Sequence, residues 1–141
     1  MGEGESRDVA GRLHSSAIRL LRTLRREDDG SGLSAPRLSA LSVIVFVGPV
    51  SLAELAAAEQ VKPPTMSRIV DGLLMQGLVT REPKAGDRRS VQIAATAEGV
   101  RLLEAGRERR VQALVKRMAS LADSERRALA RGVEILERIV R

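Results

Sequence analysis

The stretch Ser51–Glu82, "SLAELAAAEQVKPPTMSRIVDGLLMQGLVTRE", decides the fold. Ser51 suits an N-cap, and Glu54 follows three positions later, the pattern of a capping box opening a short Ala-rich helix. "QVKPP" interrupts that helix. Pro63 or Pro64 fits the first turn of a second helix, because proline's missing N–H costs nothing there. The second helix is expected over about 63–76. Met66, Ile69, Val70, Leu73 and Leu74 recur at helical spacing on one face, and Thr65, Ser67, Arg68 and Asp71 lie elsewhere. Gly77 is placed to end it as a left-handed residue. A short helix, a tight connection and a second helix make a helix-turn-helix, whose second helix can enter a DNA major groove. Many helical hairpins bind nothing, so the layout alone is weak evidence of function.

The downstream sequence adds weight. "LVTREP" (78–83) reads as a strand and "SVQIAA" (90–95) as its partner, with Val91 and Ile93 on one face. The loop between them, "KAGDRRSVQI" from Lys84, has a Gly86-Asp87 turn signal with Arg88 and Arg89 at its tip. A hairpin after a helix-turn-helix makes a winged helix, with a wing expected over about 79–95. Arginine at such a tip can enter a narrow minor groove, where the negative potential is enhanced.

Upstream, Val9, Leu13, Ala17, Leu20, Leu21 and Leu24 mark a helix over Val9 to about Arg26. "EDDGSGLSAP" breaks it. A further helix is expected from Pro36, carrying Leu38, Leu41, Val43, Ile44, Val45 and Phe46 and ending at Gly48-Pro49. Its β-branched run leaves a strand as the alternative. After the wing, Thr96 is expected to cap a helix to about Leu121 with an apolar stripe at Val100, Leu103, Val111, Leu114, Met118 and Leu121, which Arg107 interrupts. Asp123 is expected to cap a last helix carrying Leu129, Val133, Leu136 and Val140. The end helices could close a monomeric bundle. Dimerisation is the better reading, because helix-turn-helix proteins read paired half-sites about 34 Å apart.

Composition narrows the partners. The chain has 141 residues, 43% hydrophobic, with a net charge of +6 and no cysteine. That length builds one domain with a core, and that charge favours a polyanion, nucleic acid or an anionic membrane surface. The apolar helix faces are needed for core and dimer, which argues against a membrane-surface module. No apolar run approaches the ~18 residues of a membrane span. "MGEGESRD" has no apolar h-region, so a cytoplasmic location is expected. One histidine and no clustered carboxylates leave no metal site, no cofactor is called for, and no spacing suggests a catalytic residue. The expectation is a binding protein, not an enzyme.

The residues "SLAELAAAEQVKPPTMSRIVDGLLMQGLVTRE", the wing "GDRRSVQI" and the helix opening "ATAEG" together resemble the multiple antibiotic resistance regulator (MarR) family of winged-helix transcription factors. The Asp-x-Arg wing followed by a strand and a Thr-x-x-Gly helix start is the most specific part. Ala95 stands where the family usually has Leu, and Gly72 weakens the second helix by ~1 kcal/mol relative to Ala.

The resemblance implies a mainly α homodimer with interleaved termini and a small β-hairpin wing. Residues 1–30 and 97–141 would form the dimerisation region, and 34–96 the DNA-binding lobe. It implies that Pro63, Pro64, Thr65, Ser67 and Arg68 face bases and nearby phosphates of a pseudo-palindromic operator. Arg68 would be the guanine reader. Arg89 would be the wing arginine, with Asp87 orienting it. Lys62, Arg81, Lys84 and Arg88 would meet phosphates. Asp71 would pair with a nearby arginine, those of the wing being candidates. Repression released by a small aromatic carboxylate or phenolic effector is the implied mechanism. His14, Phe46, Arg101 and Arg107 are the candidate effector residues, with Phe46 expected in the core or lining a pocket. The rival is a constitutive DNA-packaging winged-helix protein without ligand control.

Overall fold

The computed structural model describes residues 1–141. Six helices and one hairpin follow in the order α1 (Glu3–Arg25), a 3₁₀ segment (Arg26–Ser31), α2 (Ala35–Val47), α3 (Leu52–Ala58), α4 (Pro63–Met75), β1 (Val79–Lys84), β2 (Asp87–Ala95), α5 (Ala97–Met118) and α6 (Asp123–Ile139). α1 begins six residues before the first periodic apolar residue, with Glu3 and Glu5 in its first turn complementing the helix dipole. The β-branched run of α2 is helical, so burial of Ala40, Leu41 and Ile44 against neighbouring elements outweighs β propensity.

The core is a cluster contributed by α2 (Ala40, Leu41, Ile44), α3 (Leu55, Ala56), α4 (Met66, Val70, Leu73) and the strands (Val79, Ile93), with Val50 and Leu78. Val91 shares a face with Ile93, but it lies beyond the core and is 51% exposed. The predicted capping box is present: Glu54 N–H donates to Ser51 Oγ at 3.1 Å, and Ser51 N–H to the Glu54 carboxylate at 3.3 Å. α3 ends without glycine. Gln60 adopts the left-handed conformation (φ 55°), while its N–H bonds Ala57 O and the Val61 N–H bonds Ala56 O, a Schellman closure. α4 ends in the same way at Gly77 (φ 70°), with Gly77 N–H on Leu74 O and Leu78 N–H on Leu73 O.

The sheet is antiparallel, from Val79↔Ala95 to Pro83↔Val91. Val50 adds a one-residue third strand through two hydrogen bonds with Ile93, at 3.1 and 2.7 Å. The start of α5 is clamped to the α4–β1 corner. Thr96 N–H donates to Leu78 O (3.0 Å), Thr96 Oγ1 donates to Gly77 O (2.7 Å) and accepts from Gly99 N–H (3.1 Å). Gly99 is buried where a Cβ would overlap the Leu78 carbonyl oxygen. The Thr-x-x-Gly sequence is therefore a clasp between backbone segments. α5 ends at Met118, three residues earlier than expected. Arg107 is exposed and does not cross the apolar stripe internally. At α6 the cap is Ala122, not Asp123. Asp123 is the first helical residue, and the Glu125 carboxylate accepts the Ala122 N–H at 2.8 Å.

Neither α1 nor α6 contains a buried residue. Leu21 and Ile139 are 58% and 65% exposed. The 3₁₀ segment is pinned to α5 by an Arg110–Asp28 ion pair and by Arg109 Nε donating to Glu27 O (3.2 Å).

Candidate nucleic-acid interface

α4 presents one covered and one open face. Met66, Val70 and Leu73 are buried, whereas Pro63, Pro64, Thr65, Arg68, Asp71 and Met75 are exposed and Ser67 is half-buried. Lys62 is the exposed N-cap residue. The two prolines remove two of the N–H groups that a helix start leaves free, so this end attracts anions less than most. Arg68 sits in the second turn of the open face.

The wing is tied to α4 at its base. Arg81 Nη2 of β1 lies 2.9 Å from Asp71 Oδ1 of α4. Both side chains are about half exposed, so the pair contributes little energy and acts mainly to fix the angle between helix and hairpin. Arg81, from the hairpin, is thus the nearby arginine with which Asp71 pairs.

The hairpin tip differs from its sequence reading. The turn residues are Ala85 and Gly86 (φ 84°), flanked by the Lys84↔Asp87 pair, not Gly86 and Asp87. The register shifts between Pro83 and Lys84, which leaves Arg88, Arg89 and Ser90 as extra residues of β2. Arg88 and Arg89 therefore lie on a bulge beside the tip, because Asp87 is spent on pairing. The Asp87 side chain organises that bulge: Oδ2 accepts from Ser90 Oγ (2.8 Å) and Oδ1 from the Arg89 N–H (3.0 Å). It orders Arg89 through the backbone and makes no ion pair with the guanidinium. The Ser90 hydroxyl, then the Arg89 N–H, with Lys84 nearby, hold the Asp87 carboxyl below its ordinary value of 3.8. Ser90 was not singled out in the sequence; the Asp-x-x-Ser spacing was its only signal. Lys62, Arg68, Lys84, Arg88 and Arg89 enter no ion pair within the chain. The candidate interface thus offers five cationic side chains without an ion-pair partner, on the N-cap and open face of α4 and on the wing.

Three of the four candidate effector residues come together elsewhere. Phe46, Arg101 and Arg107 line a groove of about 780 Å³ between α2 and α5, with Leu103 and Arg110. Phe46 is 75% exposed, so it is not a core residue; the end of α2 projects it past the packed turns. Arg101 is hooked to Glu98 at 2.6 Å. His14 is exposed on α1 and does not line this groove. No three acidic or histidine side chains gather as a metal site. No single helix is long and apolar enough to cross a membrane.

The likeness to known proteins extends over the chain. Residues 33–91 match the model of the MarR family. An HTH-type transcriptional regulator of Mycobacterium tuberculosis is 33% identical over 132 residues, covering 94% of this chain and 92% of the relative. The crystal structure of a transcriptional regulator from Pseudomonas aeruginosa PA01 is 30% identical, covers 99% of both chains and superposes with a TM-score of 0.83. A variant of MepR from S. aureus, solved bound to an oligodeoxyribonucleotide, shares the fold at 16% identity and a TM-score of 0.72, over 94% of this chain and 98% of that one. The helix-turn-helix, the bulged wing and the Thr96–Gly99 clasp therefore stand in a chain that belongs to the MarR family of winged-helix transcriptional regulators.

Proposed function

We propose that the protein is a homodimeric repressor that occupies a pseudo-palindromic DNA operator and is released by a small aromatic carboxylate or phenolic effector. The observation that carries this reading is the open face of α4, with Thr65 and Arg68, held at a fixed angle to a wing whose Arg89 backbone is ordered by Asp87. In this reading 34–96 is the DNA-binding lobe, and 1–30 with 97–141 is the dimerisation region. Pro63, Pro64, Thr65, Ser67 and Arg68 meet the major groove, and Arg68 makes the bidentate guanine contact. Arg89 enters the adjacent minor groove, where width rather than base identity is read. Lys62, Lys84, Arg88 and the free donors of Arg81 contact phosphates. The exposed apolar residues of α1 and α6 support a dimer, since they have no partner within one chain. The effector part rests on the groove lined by Phe46, Arg101 and Arg107, where an aromatic face and two guanidiniums suit an aryl carboxylate. The protein acts in the cytoplasm and needs no cofactor.

Selection of genomic fragments by the purified protein, repeated with salicylate, tests each part. A motif with two related half-sites about 34 Å apart is expected. A flat selection would instead favour DNA packaging. Retention of every fragment at high salicylate would remove the effector and leave the operator.

A further inference from the structure

Gly72 lies inside α4, where helix propensity argues against glycine, and the structure shows what occupies its missing side chain. A Cβ at 72 would stand 2.5 Å from Cζ, Nε and Nη2 of Arg37, which reaches across from the first turn of α2. The guanidinium lies in the notch. Arg37 is half-buried, yet it enters no ion pair and no side-chain hydrogen bond in the chain. Its five N–H donors are therefore free for an acceptor from outside the chain.

Its position around α4 says which acceptor. At 100° per residue, Arg68 falls between Asp71 on one side and Gly72 on the other. Asp71 is the anchor of Arg81. Arg68 is therefore flanked on the helix surface by two guanidiniums, Arg81 toward the wing and Arg37 toward α2. A major groove about 12 Å wide admits one helix and is walled by two phosphate strands. Flanking cations on a helix seated in it meet those walls. We infer that Arg37 is a phosphate-contacting residue that grips the backbone on the side of α4 away from the wing, and that Gly72 is required to seat it there.

This inference rests on the DNA-binding reading above. One phosphate contact contributes a salt slope of about 0.9, so Arg37→Gln should lower the slope by about 0.9 per protomer, about 1.8 for a dimer on both half-sites. At 0.15 M salt that is a loss of affinity of about fivefold per protomer. The loss should be equal on the cognate operator and on random duplex, because phosphates carry no sequence. Arg37→Lys should keep most of the slope. Gly72→Ala should weaken binding although alanine favours the helix. Filter-binding titrations from 50 to 300 mM KCl on both duplexes give these values, with thermal melting as the check on folding. Wild-type affinity and slope in Arg37→Gln would overturn the assignment. So would a loss confined to the operator, or one that tracks a lowered melting temperature with the slope unchanged. Failure of the wild-type protein to bind any duplex would instead sink the DNA-binding reading itself.

Discussion

Gly99→Ala puts the clasp between α5 and the α4–β1 corner under direct load. The new Cβ would overlap the Leu78 carbonyl oxygen and stand 3.1 Å from the Leu78 carbonyl carbon and 3.3 Å from Leu41 Cδ1. Two of these atoms are backbone and the third belongs to a fully buried side chain, so none can swing aside. The first turn of α5 must lift instead. Forced overpacking of this kind costs ~1–3 kcal/mol. Lifting also lengthens the Thr96 N–H bond to Leu78 O or the Thr96 hydroxyl bond to Gly77 O, for a further ~0.5–1.5 kcal/mol. Alanine's better helix propensity returns ~1 kcal/mol. The net expectation is a destabilisation of about 2 kcal/mol, or a fall in Tm of roughly 8 °C for a chain of this size. Gly11→Ala is the control. Gly11 is mid-helix in α1 and a Cβ there meets nothing within 4 Å, so it should gain up to ~1 kcal/mol. Urea unfolding at one fixed protomer concentration measures both, since association shifts apparent stability. A Gly99→Ala midpoint at or above wild type would refute the clasp as a close-packed backbone joint.

Four further outcomes are expected. Light scattering at micromolar concentration should give twice 15.2 kDa, or 30.4 kDa; a mass of one chain would remove the paired half-sites. Arg68→Ala should cost ~1–3 kcal/mol on the cognate operator and relax preference at one base position; equal weakening on every duplex would make it a phosphate contact. Arg89→Ala should flatten the preference for A·T-rich flanks while the central half-site preference survives, and Asp87→Ala should do so more mildly, as read by operator titrations with A·T-rich and G·C-rich flanks. Unchanged flank preference in Arg89→Ala would leave the bulge without a role in DNA. Because folding depresses the Asp87 pKa, its contribution to wing order is complete above about 3.8 and is lost as pH falls through the lower folded value. An NMR titration of its carboxyl carbon should give a midpoint below 3.8, and one at or above that value would show the Ser90 and Arg89 bonds to be absent in solution.

The helix-turn-helix was legible because local rules carry it. Ser51 and Glu54 form a cap within four residues, and the apolar face of α4 follows from spacing alone. The end of α3 was not, because Gln60 takes a left-handed conformation that glycine would have announced. The wing was readable as a hairpin, but its turn was displaced by one residue. Which residues of "KAGDRR" pair is set by the bulge and by the Asp87–Ser90 bond, and no alternation encodes either. Asp71 could be expected to find an arginine, since a short loop brings β1 back along α4. Arg37 could not be seen at all: its partner is a missing side chain 35 residues away. Gly72 read as a weakness of the helix because propensity describes a helix alone, whereas the notch matters only once α2 lies across it.

The absence of buried residues in α1 and α6 has a bearing on how the cell handles this chain. Helices of 23 and 17 residues without a packed face are marginal in water. In the proposed dimer their order is set by association, and so by abundance. On the dimer reading, an unpaired chain offers proteases two unpacked helices, and a paired chain covers both. If the dimer forms as proposed, turnover and DNA occupancy answer to a single association constant. In the proposed dimer, chains held below that constant keep both helices open to cleavage, and the chains that outlast it are those already paired.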